Sequence, residues 1–241
     1  MQQKGKRKMS KKTVGIVPWA EPFDTENLYD DKYHFVNSYN IRAVEAGLIP
    51  LGILPVDKRI PEGVLNACDC FIINGGHTIS PYHLEVIDHA VKTGKKVLGI
   101  CLGCQSIVSY FGTAQEAEKR GWKGSIADLF VELKKETRIP FLKEVKGHST
   151  PIMPRSDLES VKHPVRLEEG TLIRKVLGTD VVMGASMHIY AADHIGKGLR
   201  ISGWSEDGII EAVEAGDTII GTQFHPDVDD KLKALFSFLA E

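Results

Sequence analysis

Two glycines around one cysteine limit what this chain can become. In Lys96-Val97-Leu98-Gly99-Ile100-Cys101-Leu102-Gly103-Cys104-Gln105, a short apolar run reads as a buried strand. It passes into Gln105-Ser106-Ile107-Val108, which can start a helix. Cys101 lies between them with glycine two residues away on each side, the pattern of a nucleophile elbow. Such a turn is so tight that a side chain at either flanking position would collide with backbone, and it holds its central residue in a strained conformation. It also sets the sulfur at the positive N-terminal end of a helix, favouring thiolate over thiol. Cys101 is therefore the candidate nucleophile. Two other readings stand beside it. A lone cysteine after an apolar strand is often core, and Cys101 with Cys104 forms a Cys-x-x-Cys that could act as a redox pair.

The flanking chain supplies the sheet that an elbow needs. Val14 to Pro18 is a first apolar strand, followed by a polar connection from Pro22 to Asp31. From Tyr33 the spacing turns helical through Phe35, Val36, Tyr39, Ile41, Val44 and Ala46, with Gly47 as the stop. Leu48 to Leu54 is a strand, Val64 and Leu65 belong to a short helix, and Cys70 to Ile73 is a third strand. Asn74-Gly75-Gly76-His77 breaks the chain before a helix from Pro81 to about Thr93, and Val97 to Ile100 is the fourth strand. This alternation predicts an α/β fold with a mostly parallel sheet covered on both faces. Ligand sites in such sheets gather at the carboxyl ends of strands, where both Gly75-Gly76 and Cys101 fall.

The second half is less regular. A charged helix is expected over Ala127 to Lys135, then a loop rich in Pro, Ser and His. Val165 to Val176 and Gly198 to Trp204 read as strands or short helices. Asp207-Gly208 marks a turn before Ile209 to Val213, which alternates as an antiparallel strand does. Thr218 to Phe224 is the last strand, running into His225-Pro226-Asp227, and Val228 to Leu239 is an amphipathic helix. The spacing shows no repeat and no linker, so residues 13–241 are expected to form one domain behind a basic, disordered lead-in over Met1 to Lys12.

Composition narrows the function classes. A net charge of -2 gives no general pull toward nucleic acid or anionic membrane. No apolar stretch reaches the roughly 18 to 20 residues that span a bilayer. The four cysteines sit in two close pairs and suggest a reducing cytoplasm rather than a disulfide framework. Cys68 and Cys70 read as packing residues, and no histidine spacing matches them for a structural zinc site, so no metal is expected.

A cysteine nucleophile needs a base and a group to orient that base. His225 follows the last strand, and Asp227, two residues on, could hydrogen-bond its imidazole. An oxyanion needs backbone N–H donors; Leu102 after the nucleophile and the Gly75-Gly76 turn can present them. Gly99 to Gln105 together with Gln223-Phe224-His225-Pro226 resembles the class I glutamine amidotransferase family. The resemblance is strongest to its stand-alone γ-glutamyl-hydrolase-like branch, which includes γ-glutamyl-γ-aminobutyrate hydrolase. That branch is matched by Tyr39 to Pro55, by Asn74 to Pro81, by His163-Pro164-Val165, and by Gly170-Thr171-Leu172. Ser186-Met187-His188 and Asp207 to Ala212 extend the match, which spans about residues 13 to 240.

The resemblance implies a flavodoxin-like three-layer sandwich and a triad of Cys101, His225 and Asp227. It implies an oxyanion hole from the N–H groups of Gly76 and Leu102, and γ-glutamyl recognition by Gly75, Gln105, Ser186, Met187 and His188. The implied reaction is hydrolysis of a small γ-glutamyl amide through a glutamyl thioester, with no metal or organic cofactor. A glutaminase subunit serving a separate synthetase, a redox protein and a degenerate binding protein are the alternatives, and the chain could also pair with itself. This sequence departs from the branch in carrying Asp227 for glutamate, Leu102 for arginine, Cys104 for methionine, and Ser186-Met187-His188-Ile189-Tyr190 for Ser-x-His-His-Gln.

Overall fold

A computed structural model describes residues 11–21, 32–150, 152–153 and 156–241. The Pro22 to Asp31 connection, nearly all of the basic lead-in, and Pro151, Pro154 and Arg155 lie outside the described residues. In chain order the strands are β1 (Thr13–Val17), β2 (Trp19–Ala20), β3 (Tyr33–His34), β4 (Ile49–Gly52), β5 (Cys70–Ile73), β6 (Lys96–Ile100) and β7 (Leu142–Glu144). They continue as β8 (Lys162–Leu167), β9 (Val181–Ala185), β10 (Tyr190–Ala192), β11 (Arg200–Ser205), β12 (Ile210–Ala215) and β13 (Ile219–Thr222). The helices are α1 (Asn37–Glu45), α2 (Glu62–Asn66), α3 (Pro81–Thr93), α4 (Leu102–Arg120), α5 (Ile126–Glu136), α6 (Leu172–Leu177) and α7 (Ala234–Ala240).

Alternate side chains of the short apolar runs point to opposite faces of one sheet. Phe71 and Ile73 of β5 join the core under α3, α4 and α5, while Cys70 and Ile72 join the core under α1, α6 and α7. The same split sends Val97 one way and Leu98 and Ile100 the other. Both faces are covered, so β5 is buried at every residue, as expected of a central parallel strand.

The nine-stranded sheet has the order β4-β1-β5-β6-β13-β12-β11-β8-β9. The first five strands are mutually parallel; the remaining pairs are antiparallel. Thus the α/β expectation holds with an antiparallel extension that only the Asp207-Gly208 turn signalled. Gly208 has φ +80, the left-handed conformation that such a turn requires.

Two helix boundaries differ from expectation. Tyr33 and His34 pair with Trp19 and Ala20 as a small ribbon, so α1 starts only at Asn37. Its buried face is Tyr39 and Ala43, and the apolar Ile41 and Val44 are about half exposed. At the C-terminus, the stretch from Pro226 forms two short 3₁₀ turns before α7 begins at Ala234. Pro226 starts the first turn and Asp229 caps the second, its carboxylate accepting the Lys231 N–H at 2.9 Å. Local side chain to backbone bonds of this kind compete with a continuous helix.

Candidate active site

Strands β5, β6 and β13 lie side by side, and their carboxyl ends deliver the three segments of the site. The pairings Ile73↔Gly99 and Thr222↔Ile100 bring Asn74-Gly75-Gly76, Cys101 and Gln223-Phe224-His225 to the same edge. Cys101 has φ 53 and ψ -103 and is the N-terminal boundary residue of α4. For a non-glycine residue this is a strained conformation, costing on the order of 1–3 kcal/mol unless neighbours impose it. The neighbours do. A Cβ at Gly99 would lie 2.6 Å from the Gly103 carbonyl oxygen, and one at Gly103 would lie 2.3 Å from that of Ile73. The steric reading of the two glycines is met atom by atom.

His225 and Asp227 face the elbow. His225 Nδ1 lies 3.2 Å from Asp227 Oδ1, and Cys101 stands beside the ring as a second group that favours its protonated form. Burial by itself would lower the imidazole, but Asp227 and Cys101 overcome that and raise it to about 10. Burial pushes the Asp227 carboxyl up, yet the bonds from His225 and from Ser38 leave it below its ordinary value. Ser38 Oγ donates to Asp227 Oδ2 at 2.6 Å, and Arg42 Nε donates to the Asp227 backbone carbonyl at 3.0 Å. The shorter acid therefore reaches the ring with both carboxylate oxygens held. Ser38 and Arg42, on α1, were not anticipated from the sequence; only their position one helix away from a strand-end site hinted at them.

The surrounding cleft encloses about 1000 Å³ and is lined by Cys101, His225, Asp227, Gly75, Gly76 and Gln105, among others. The Gly75 N–H donates to Tyr39 Oη at 3.2 Å, and Gly76 is covered by Trp19, so a side chain at either glycine would be crowded out. Burial first, then the charges of Asp227 and Cys101, keep Tyr39 a neutral phenol. Leu102 opens α4, where the first N–H groups have no intrahelical acceptor. Its side chain turns into an adjoining cavity of about 150 Å³, shared with Gln105, Tyr190, Lys134 and Arg138.

The substrate-binding candidates divide. Met187 lines the cleft, its carbonyl oxygen 3.8 Å from Cys101 Sγ. Gln105 Nε2 donates to the Tyr190 carbonyl at 2.9 Å and to Gln223 Oε1 at 3.2 Å. His188 borders the cleft, but its Nε2 faces Glu211 Oε1 at 3.4 Å rather than the sulfur. Ser186 stands behind the wall, its hydroxyl donating to the His148 carbonyl at 2.8 Å. Ser149, Thr150, Met153 and Leu158, from the irregular middle of the chain, supply part of the opposite wall. Cys104 is fully buried, its sulfur against Gly221, and burial holds its thiol well above the ordinary range. That placement disfavours the redox pair, and all four cysteines are free.

An α/β protein with a cysteine on a strand-to-helix elbow, and a histidine–aspartate pair facing it, is the class this geometry defines. The family model "Glutamine amidotransferase class-I" matches residues 28–239. The chain belongs to the class I glutamine amidotransferases. A candidate glutamine amidotransferase of Schizosaccharomyces pombe is 28% identical over 210 residues, covering 76% of this chain and 71% of that protein. The CTP synthase of Methanothermobacter thermautotrophicus is 28% identical over 185 residues, covering 72% of this chain but only 33% of the synthase. Among solved structures, the glutaminase domain of Trypanosoma brucei CTP synthase with bound acivicin superposes with a TM-score of 0.64 at 17% identity. That alignment covers 95% of this chain and 92% of the other, and shows that the fold is shared. Among the described residues no helix is long and apolar enough to cross a membrane.

Proposed function

We propose that this chain is a cysteine hydrolase that cleaves the γ-glutamyl amide bond of a small γ-glutamyl compound. The observation that carries the reading is the strained Cys101 beside a His225 that Asp227 orients, in the wall of a ligand-sized cleft. The Cys101 thiolate attacks the γ-carbonyl carbon, and the N–H groups of Gly76 and Leu102 receive the oxyanion. His225, charged at neutral pH, gives its proton to the leaving amine. A thioester remains. Water then attacks it with His225 as base, releasing glutamate and restoring the thiolate. Each step runs on protein groups and water alone.

Gly75, Gln105, Met187 and His188 would shape the cleft around the glutamyl chain, with Ser186 holding the His188 segment from behind. The adjoining cavity beside Gln105 carries Lys134 and Arg138, two cations suited to the free carboxylate of a glutamyl group. This answers the loss of the branch's arginine at position 102. The four free cysteines fit a reducing cytoplasm. A glutamine-derived chloroketone is expected to add once, on the peptide containing Cys101, with Cys104→Ala labelling like wild type. Amine release from γ-glutamyl amides should exceed ammonia release from glutamine. No adduct and no release from either substrate would sink the proposal.

One observation favours a second reading. Ile41 and Ile189 line the cleft and are about half exposed, an apolar rim that a synthetase subunit could cover. Glutamine would then be the substrate and ammonia the product passed on, and glutamine turnover would outrun that of γ-glutamyl amines.

Asp227→Asn tests the orienting acid. With the carboxylate gone, His225 loses one of the two groups that raise it, so its proton leaves at lower pH. Turnover is expected to fall roughly 10²- to 10⁴-fold, and the alkaline limb of kcat/KM to move down from about 10. The stability sign follows. His225 binds its proton more tightly folded than unfolded, so its contribution is full below about pH 6.5 and lost as pH rises through about 10. A pH profile unchanged by Asp227→Asn would remove Asp227 from the triad.

A further inference from the structure

Behind the cleft wall, four segments bring three histidines onto one buried carboxylate. Glu211, on β12, is fully buried. Its Oε1 lies 3.1 Å from His148 Nδ1, 3.6 Å from His163 Nε2 and 3.4 Å from His188 Nε2. The outer nitrogen of each ring already faces an acceptor. His148 Nε2 meets Asp207 Oδ2 at 3.0 Å, His163 Nδ1 meets the Pro164 carbonyl at 3.3 Å, and His188 Nδ1 meets the Tyr190 carbonyl at 3.1 Å. Carbonyls and carboxylates only accept, so each outer nitrogen is placed to donate an N–H, and the other nitrogen of each ring is the one aimed inward at Glu211.

Three imidazole nitrogens and a carboxylate oxygen thus converge on one point, with the Ser186 hydroxyl 3.5 Å from His148 Nδ1. One extra proton, on His148, would bridge a single contact to Glu211. It would leave His163 Nε2 and His188 Nε2 pointed at the same carboxylate, and both are buried without a hydrogen-bond partner, as are both Glu211 oxygens. A multivalent cation satisfies all of them at once. The spacing fits: a four-coordinate ion with bonds of about 2.0–2.1 Å sets its ligand atoms roughly 3.3–3.4 Å apart. The ligand atoms of His148, His163 and Glu211 all lie within 4.8 Å of one another and form the core of the set. His188, 3.4 Å from Glu211 Oε1, stands outside that core as the fourth donor, which a ring movement would have to bring in. Outer nitrogens tied to a carboxylate and to backbone carbonyls are the support that metal-binding histidines use.

We propose that His148, His163, His188 and Glu211 form a binding site for one divalent transition metal ion, zinc being the best match to three imidazoles and a carboxylate. The site is separate from Cys101 and takes no part in the thioester chemistry. Its ligands come from the loop after β7, from β8, from the segment joining β9 to β10, and from β12. A bound ion would therefore clamp the Ser186 to Tyr190 wall of the cleft to the antiparallel half of the sheet.

The test uses the full chain carrying Cys101→Ala and Cys104→Ala, which removes the two thiols of the elbow as competing ligands. After stripping with chelator, titration with cobalt(II) and zinc(II) is followed by visible absorption, calorimetry and metal content after gel filtration. One equivalent is expected, with the visible bands of a four-coordinate cobalt site and a melting temperature that rises with metal concentration. Adding His163→Ala or Glu211→Gln should abolish stoichiometric binding, and Asp207→Asn should weaken it about 10- to 100-fold. His163 is partly exposed, so its alanine variant keeps the test available should the Glu211 variant fail to fold. Absence of stoichiometric binding, or binding that all three variants leave unchanged, would overturn the metal site and leave a proton-bridged His148–Glu211 pair in its place.

Discussion

Cys101→Ala is expected to lower turnover of the proposed γ-glutamyl substrate by about 10⁴-fold or more. In the proposed triad, nucleophile, base and orienting acid act as one unit, so loss of the first removes the benefit of the other two. Alanine fills almost the same space and tolerates the elbow conformation no worse than cysteine, so the fold should survive. Measured together, kcat falls to background, the melting temperature stays within a few degrees of wild type, and substrate still binds. That combination separates a lost nucleophile from a lost structure. Residual turnover above a tenth of wild type would put the nucleophile elsewhere.

Gly103→Ala should do the opposite, damaging the fold before the chemistry. The new Cβ would stand 2.3 Å from the Ile73 carbonyl oxygen and 3.1 Å from the Ile73 carbonyl carbon, all atoms of a central strand with no room to retreat. Overpacking against fixed backbone is expected to cost about 3 kcal/mol or more. Gly121→Ala is the control. Gly121 also has a positive φ, +60, but its Cβ would meet nothing within 4 Å, so only the left-handed penalty of about 1–2 kcal/mol applies. Urea midpoints for the two variants should differ accordingly. Equal losses would mean that the elbow is far more pliable than its contacts imply.

The parts of this protein legible in sequence are those where one residue type has one structural use. Gly99 and Gly103 could only be glycine because backbone oxygens occupy the places of their side chains. Central strands such as Cys70–Ile73 announced themselves because burial on both faces demands an unbroken apolar run. The edge strand Val181–Ala185 was missed: alternate residues are exposed and Gly184 interrupts it, so it carries neither signal strongly. The start of α1 was misplaced because Tyr33 to Val36 fit a helical period but are claimed by the Trp19–Ala20 ribbon and the cleft rim, a tertiary demand. Tyr39 and Ser38 reach the site through side chains on a helix far off in sequence, and no local pattern marks such a contact. The histidines around Glu211 belong to the same class. His163, His188 and Glu211 lay inside matched motifs, yet only β8, β12 and the wall segment folding together bring them to one point.

The way the catalytic segments are tied to the sheet has one more consequence. The Cys101 N–H bonds the Thr222 carbonyl at 2.8 Å, the Gln223 N–H bonds that of Glu211 at 2.8 Å, and the His225 N–H bonds that of Ala185 at 2.9 Å. Cys101 is thus tied to β13, the last parallel strand, Gln223 crosses the seam between the parallel and antiparallel halves, and His225 is tied to the end of β9. A one-residue slip along that seam would shift His225 by about 3.3 Å and turn its side chain to the other face. Divergence within such a scaffold is channelled outward: the tolerant positions are the loops that roof the cleft, so new specificities can be explored there while the reactive centre stays inherited unchanged.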